Sequence, residues 1–362
     1  MKKSFEEVFE DQTKYGTKVK TDEYCFSGTH IIVDQGQGQI AGYTNREDGL
    51  FVDVPAIVFG DHTRVIKYVD APFFLGADGV KVLRCRFENA NYRYLYYALK
   101  STRIPNTGYN RHFKWLKETQ INYPDAERQA EIVRILDGVM EVIGKRQQQL
   151  YAYDDLIKAR FVEMFGDLRI NKKGWGLRSF DDLTVLITDG EHATPKRTSE
   201  GIYLLSARNI LNHAIRLDDV DYIDQEEYDR IAKRVIPTEG DVLISCSGTV
   251  GRCCAVPADL KFQMVRSAAL LRFKPEIKPK FAEYMITSDF IQEQINQSKT
   301  ASSQANLFQG KIAKLKGFVP PIDMQEQFTD FISQVDKSKA EVQKSLDEAQ
   351  LLFDSLMQQY FG

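Results

Sequence analysis

Two stretches of this 362-residue chain hold no acidic side chain and mix cations with aromatic, amide and hydroxyl groups. The first lies between Glu88 and Glu118 and carries Arg93, Lys100, Arg103, Arg111, His112 and Lys114 among Tyr92, Tyr94, Tyr109, Phe113 and Trp115. The second lies between Glu293 and Asp323 and carries Lys299, Lys311, Lys314 and Lys316. Cations beside amides and hydroxyls are the donors that phosphate oxygens and base edges require. For either stretch alone, tyrosines packed into a core under solvated cations would explain the pattern equally well. Its recurrence at corresponding places favours a nucleic-acid surface. In the first half the candidate contacts are Gln37, Gln39, Tyr43, Asn45, Arg46, His62, Arg64, Asn110, Arg111 and His112, with Lys114 on phosphate. In the second half they are His192, Thr194, Arg208, Asn209, Thr249, Arg252, Arg266, Gln304 and Asn306, with Lys299 on phosphate.

Catalytic signals are weak by comparison. A methyltransferase acting on a base amino group needs a polar residue, two prolines and an aromatic ring in sequence. The only Pro-Pro, in Val319-Pro320-Pro321-Ile322, lacks both flanking groups and reads as a helix lead-in. Gly36-x-Gly38-x-x-x-Gly42 has the wrong spacing for a dinucleotide fingerprint. Glu276-Ile277-Lys278 resembles a fragment of a nuclease metal site, but Pro275 and Pro279 flank it, which favours a loop. Asp61-His62 and Glu191-His192 could ligate a metal, yet neither has an evident third ligand. Cys25, Cys85, Cys246, Cys253 and Cys254 form no Cys-x-x-Cys and read as reduced thiols.

The elements that must position these groups are duplicated. Residues 124–166 and 320–362 align without a gap at a constant offset, with identities at Pro124/Pro320, Gln129/Gln325, Val139/Val335, Gln147/Gln343, Leu150/Leu346, Leu156/Leu352, Phe165/Phe361 and Gly166/Gly362. Each copy opens at an acidic turn, spaces its apolar residues by three and four, and closes at Phe-Gly, which predicts a long helix with a narrow apolar stripe. Each helix could reach about 60 Å, and a stripe that long needs a partner along its length. Packing against each other is the economical solution. Gly138 and Gly144 allow a close approach of the two helices or a local kink.

A period this long marks a duplicated domain. The expected division is a lobe at 1–123, a helix at 124–166, a second lobe at 167–319 and a second helix at 320–362. Ser4-Phe5-Glu6-Glu7 and Ser179-Phe180-Asp181-Asp182 open the lobes alike. Within lobe one, strands are expected near 30–33, 56–59, 64–69 and 80–83, and a helix near 92–99. Lobe two repeats the order with strands near 241–244 and 268–273 and a helix near 281–285. Each lobe is therefore mixed α and β. Lobe one holds 17 basic and 15 acidic residues and lobe two holds 22 and 20, whereas the helices hold 6 against 8 and 3 against 8. A polyanion should therefore touch the lobes. No apolar run approaches the ~18 residues that span a bilayer, and the start lacks the apolar stretch of a signal peptide. A cytoplasmic protein is expected.

In the order of these parts the chain resembles the DNA-specificity subunits of type I restriction-modification systems. The resemblance rests on Asp34-Gln35-Gly36-Gln37-Gly38-Gln39-Ile40-Ala41-Gly42-Tyr43-Thr44, on 59–64 and 76–82 in lobe one, and on 188–195, 240–244 and 247–251 in lobe two. It rests also on the helix entries Glu127-Arg128-Gln129 and Met324-Gln325-Glu326-Gln327. Lobe one lacks the Gly174-Trp175 lead-in of lobe two, so its first strand is expected to be frayed or trimmed. The family implies an α+β fold: two mixed α/β target-recognition domains separated by two long antiparallel coiled-coil helices, related by a pseudo-two-fold repeat. It implies a non-catalytic subunit that reads a two-part site in double-stranded DNA, one half-site per lobe, with the helices setting the spacing. Two methyltransferase subunits and restriction/translocase subunits would be its partners. S-adenosylmethionine, ATP and Mg would belong to them and none to this chain. The rival classes are a DNA-modifying enzyme with its own catalytic site and a coiled-coil scaffold that binds no DNA.

Overall fold

The computed structural model describes residues 1–76, 79–298 and 306–362. They form two compact units, Met1–Gln148 with Gln343–Gly362, and Gln149–Val342.

The first unit opens with β1 (Lys2–Ser4), α1 (Phe5–Val8) and β2 (Phe9–Asp11). Ser4 closes a capping box on α1, its hydroxyl accepting from the Glu7 N–H while the Glu7 carboxylate accepts from the Ser4 N–H. The chain continues through β3 (His30–Val33), β4 (Gly42–Thr44), β5 (Ala56–Gly60), β6 (Ile66–Val69), β7 (Phe73–Leu75), β8 (Val80–Cys85), α2 (Tyr92–Lys100), α3 (Phe113–Lys117) and β9 (Gln120–Asn122). One sheet has the order β2-β8-β5-β6, a second β4-β3-β7, and β1 pairs with β9. The expected fraying of the first strand does not occur, because Lys2–Ser4 is paired along its length with Gln120–Asn122. Long helix α4 (Ala126–Phe165) begins in this unit.

The second unit repeats the plan. It contains β10 (Leu177–Ser179), α5 (Phe180–Leu183), β11 (Thr184–Asp189), β12 (Ile202–Leu205), β13 (Ile210–Leu211), β14 (Ala214–Ile215), β15 (Asp221–Ile223), α6 (Gln225–Ala232), β16 (Val242–Ser245) and β17 (Cys253–Ala255). After these come β18 (Phe262–Met264), β19 (Ala268–Phe273), α7 (Pro279–Thr287), α8 (Asp289–Ser298), α9 (Gln309–Ile312), β20 (Lys316–Phe318) and α10 (Ile322–Phe361). Its sheets run β11-β19-β16-β17, β15-β12-β18 and β10-β20, which is the first unit's order strand for strand. Ser179 and Asp182 remake the capping box. The β13–β14 hairpin, α6 and α8 are additions that accommodate the longer lobe.

Each unit packs half of each long helix. In the first, Ile132, Leu136 and Ile143 of α4 share a core with Ala349 and Phe353 of α10 and with Tyr94, Tyr97 and Leu99. In the second, Ile157, Phe161, Met164 and Phe165 of α4 meet Phe328, Ile332 and Val335 of α10 over Phe281 and Phe318. The N-terminal half of each helix thus faces the C-terminal half of the other, an antiparallel pair.

Several repeat identities have a local cause. The Gln129 amide donates to the Pro124 carbonyl (2.9 Å) and the Gln325 amide to the Pro320 carbonyl (2.9 Å), satisfying an acceptor where each chain turns into its helix. At the far end Gly166 adopts the left-handed conformation (φ 83°) that terminates α4. Lobe two's lead-in completes that end. The Trp175 indole donates to the Phe165 carbonyl (2.7 Å) and the Lys173 ammonium to that of Met164 (2.8 Å).

Gly138 and Gly144 do not serve close helix approach, since a Cβ at either would meet nothing within 4 Å. Alanine at each should therefore stabilise the chain by about 0.5–1 kcal/mol through helix propensity alone. Thermal unfolding of the single and double variants checks this, and a loss of stability would point to a kink that the glycines permit.

Candidate nucleic-acid interface

In the first unit four segments converge at one end of the sheets: 34–41 after β3, 61–65 between β5 and β6, Gly76 after β7 with Gly79 before β8, and 101–112 between α2 and α3. Hydrogen bonds stitch them together. The His62 N–H donates to Gln35 Oε1 (3.2 Å), the Thr63 hydroxyl to the Gln35 carbonyl (2.6 Å) and the Asp61 N–H to the Gly79 carbonyl (2.7 Å). The His112 N–H donates to the Asp61 carbonyl (2.7 Å), the Phe113 N–H to Asp61 Oδ1 (2.7 Å) and Arg64 Nη1 to the Ile104 carbonyl (3.3 Å). Asp61 is thus used in holding the loops. This cluster brings together Gln37, Gln39, His62, Arg64, Asn110 and Arg111. Gln37, Gln39 and Arg64 line one groove of about 420 Å³ with Lys67 and Lys100. Burial pulls the Lys67 ammonium below its ordinary pKa, opposed by the Asp34 carboxylate 3.2 Å away. Arg64 was expected inside a strand, but it sits in the left-handed region (φ 63°) at the turn preceding β6.

Other expectations fail for physical reasons. His112 is completely buried, its Nδ1 3.0 Å from the Asp61 carbonyl, so its ring cannot reach a groove. Tyr92, Tyr94 and Tyr97 pack into the core, and Arg93 is committed to Asp137 on α4 (2.6 Å). The open part of the acid-free stretch is therefore 103–114, where Lys114 lies over the Trp115 ring (4.1 Å). Tyr43, Asn45 and Arg46 do not join the cluster. The β3–β4 register sets Thr44 opposite His30, so Asn45 and Arg46 emerge at the opposite end of that pair from 34–41. The Asn45 side-chain oxygen there accepts from the Thr29 N–H (3.1 Å).

In the second unit the equivalent connections gather around Ser267. The Ala207 N–H donates to Ser267 Oγ (3.0 Å), the Cys246 N–H to the Ser267 carbonyl (2.8 Å), the Leu307 N–H to the Cys246 carbonyl (2.9 Å) and the Arg266 N–H to the Glu191 carbonyl (3.0 Å). Around this knot lie His192, Arg208, Thr249, Arg266 and Asn306, the last bridged to Ser247. Thr194 is exposed just beyond His192, and Arg252 closes the 246–252 turn. Asn209 is not available. Fully buried, it donates to the carbonyls of Arg216 (3.0 Å) and Asp219 (2.8 Å) and accepts from the N–H and hydroxyl of Ser206 (3.0 and 3.1 Å). Its hydrogen-bonding capacity is spent on shaping the turn. Lys299 and Gln304 lie outside the described residues.

Charge separates the candidates further. Arg208 is paired with Asp221 (2.9 Å), which also takes Arg197 (2.9 Å). Both hold the Asp221 carboxyl below its usual range although burial pushes it up. His192 contacts Asp189 (2.8 Å), and Arg230 bonds Glu227 (2.9 Å). By contrast Arg46, Arg103, Arg111, Arg252 and Arg266 have exposed or half-exposed side chains with no ion-pair partner among the described residues. Of these, Arg103, Arg111, Arg252 and Arg266 belong to the loop clusters, where a phosphate or base could engage them without displacing a carboxylate.

Sequence reasoning missed the organisers Gln35 and Ser267. Gln35 lies within the Asp34–Thr44 segment with nothing to single it out, and no motif marks Ser267. The matching strand orders reveal that 61–65 and 246–252, and likewise the β7–β8 and β18–β19 connections, are equivalent. If Arg111 reads a base edge, Arg111→Ala should cost about 1–3 kcal/mol and relax one position of the site. Lys114→Ala should instead weaken binding to all sequences alike and lower the salt slope by about one. Titration of matched and mismatched duplexes at several salt concentrations separates the two. Equal loss on every duplex would remove Arg111 from the base readers.

Comparison with known proteins bears on this geometry. A family model described as the type I restriction modification DNA specificity domain matches residues 1–151 and again 174–349. The fold is similar to the S subunit of a type I restriction-modification system from M. genitalium (TM-score 0.56, 14% identity, 99% of this chain and 94% of that one). It is also similar to a chain from a structural study of complex assembly and conformational transition in the type I R-M system (TM-score 0.54, 17% identity, 100% and 97%). No curated protein matches the sequence.

Proposed function

This chain belongs to the family of type I restriction modification DNA specificity domains, and from that premise we propose that it is the sequence-reading subunit of a type I enzyme, with lobes 1–123 and 167–319 each reading one half of a split DNA target. The observation that carries this is the pair of loop clusters. They occupy the same topological place in both repeats and carry different side chains, as two readers of unlike half-sites require. Major-groove edges distinguish all four base pairs, and Gln37, Gln39 and Arg111 on one cluster and Arg266 and Asn306 on the other supply suitable donors and acceptors. The two 40-residue helices serve as the spacer between half-sites.

Two methyltransferase subunits dock on the helices in this proposal, and restriction/translocase subunits join through them. Leu156 and Leu352 occupy the same repeat position, and both are exposed (46% and 51%). Each repeat also has a cleft beside the C-terminal end of its long helix, about 600 Å³ at Lys158, Phe161, Val162 and Gly166 and about 730 Å³ at the corresponding Asp354, Met357, Gln358 and Gly362. Apolar positions left open twice suit two copies of one partner. S-adenosylmethionine, ATP and Mg chemistry belongs to those subunits. Among the described residues no group of three or more His, Cys, Asp or Glu could hold a metal, and no helix is long and apolar enough to cross a membrane.

The test is co-expression with the partner methyltransferase, followed by mapping of genomic methylation. A split, two-part motif that appears only when both chains are present is expected. Methylation by this chain alone would favour an enzyme with its own site. Failure to form any complex with a methyltransferase would favour the scaffold.

A further inference from the structure

The rings of His62 and Tyr109 are stacked, with centroids 4.8 Å apart and planes 9° from parallel. Tyr109 is 87% exposed. His62 Nδ1 is shielded from water and has no hydrogen-bond partner among the described residues. The near-parallel stack on Tyr109 presents the face of the His62 ring, a packing role that does not depend on its hydrogen bonds. The loop that presents Tyr109 is tied down on both sides, by Arg64 at the Ile104 carbonyl and by the Asp61 contacts at His112 and Phe113. Asn110 and Arg111 follow it directly and are exposed. A tyrosine held on a braced loop, backed by a parallel ring and followed by an exposed guanidinium, has the geometry of a stacking platform for a nucleobase.

We propose that Tyr109 enters a base step of the half-site read by lobe one and stacks on a base that it separates from its neighbour, with His62 as the positioning residue behind it. The proposal rests on the DNA-reading function above and adds to it a local distortion of the target, a means by which side chains part base steps and make specificity depend on deformability.

The experiment uses the complex of the full chain with its methyltransferase subunits. Duplexes carry the mapped motif with 2-aminopurine substituted at each position of the two half-sites in turn. Apart from the base that a methyltransferase subunit itself extrudes, wild type should raise the fluorescence several-fold at one further position of one half-site. Tyr109→Ala should abolish that rise and weaken binding about tenfold, while Tyr109→Phe and Tyr109→Trp keep both. His62→Ala should diminish the rise and His62→Phe restore it, since a ring face is what is needed. The exposure of Tyr109 makes an unchanged melting temperature the expected control. A rise at that further position that persists in Tyr109→Ala, or a wild-type complex that binds the duplex with no rise beyond the methyltransferase target bases, overturns the wedge alone. A complex that binds no duplex overturns the DNA-reading function and the wedge with it.

Discussion

Phe165→Ala should destabilise the second unit by about 3–5 kcal/mol, whereas Phe361→Ala, at the same position of the repeat, should cost only about 1–2 kcal/mol. The two residues are identical in type and in their distance from the helix end, so the sequence alone assigns them equal weight. Their surroundings differ. Phe165 is fully buried, with ring centroids of Phe161 and Phe281 at 5.0 Å, Phe328 at 5.5 Å and Phe318 at 6.0 Å. Alanine there leaves a cavity walled by rings on α4, α7, β20 and α10, which cannot all relax into it. Phe361 is half-exposed and, among the described residues, has one near ring, Tyr94 at 5.4 Å. Urea unfolding of both variants supplies the comparison. Equal losses would mean that the phenylalanine cluster is far more plastic than its packing implies.

The same contrast runs through the whole chain. The helices were legible because their task is periodic and local. A stripe, an acidic first turn and a terminal Phe-Gly fix α4 and α10 to within a residue or two of the expected ends. Residue by residue, the equivalence of the lobes was legible at their capped openings and otherwise only as a repeated order of elements, since a strand pairing such as β5 with β8 depends on pattern and register rather than on residue identity. The interface was half legible. Composition located 103–114, but it could not tell Tyr94, whose hydroxyl donates to the Asn122 carbonyl inside the core (2.7 Å), from Tyr109 in solvent. Nor could it tell Arg93, spent on Asp137, from Arg111. His112 and Asn209 look like base readers by type, yet their polar atoms are satisfied by backbone groups brought near only by the fold. Which polar groups remain unspent is a tertiary property.

The second large effect is expected at one such tertiary group. Glu283, on α7, is 1% exposed, and its carboxylate accepts from His213 Nδ1, from Lys280 Nζ (3.1 Å) and from the Ala255 N–H (2.7 Å). It therefore ties the β13–β14 hairpin, β17 and α7 together, next to the connections that carry Arg208 and Arg252. His213 is held there in the left-handed conformation (φ 67°) and stacks on Tyr284 at 4.0 Å. Glu283→Ala should cost about 3 kcal/mol, because it deprives the Ala255 N–H of its acceptor and removes two charge-assisted hydrogen bonds. Glu283→Gln should cost less. Burial alone would raise the carboxyl pKa, but the His213 hydrogen bond, the Lys280 charge and the Ala255 N–H together hold it below the ordinary value. A depressed carboxyl contributes stability that is present above its unfolded pKa and is lost as the pH falls through its folded pKa. Wild type should therefore lose a Glu283-dependent part of its stability below about pH 4.5, and the urea midpoint of Glu283→Gln should fall less steeply there. Curves that run parallel from pH 7 to pH 3 would show instead that the carboxylate is held by packing and that its charge is not what joins the three elements.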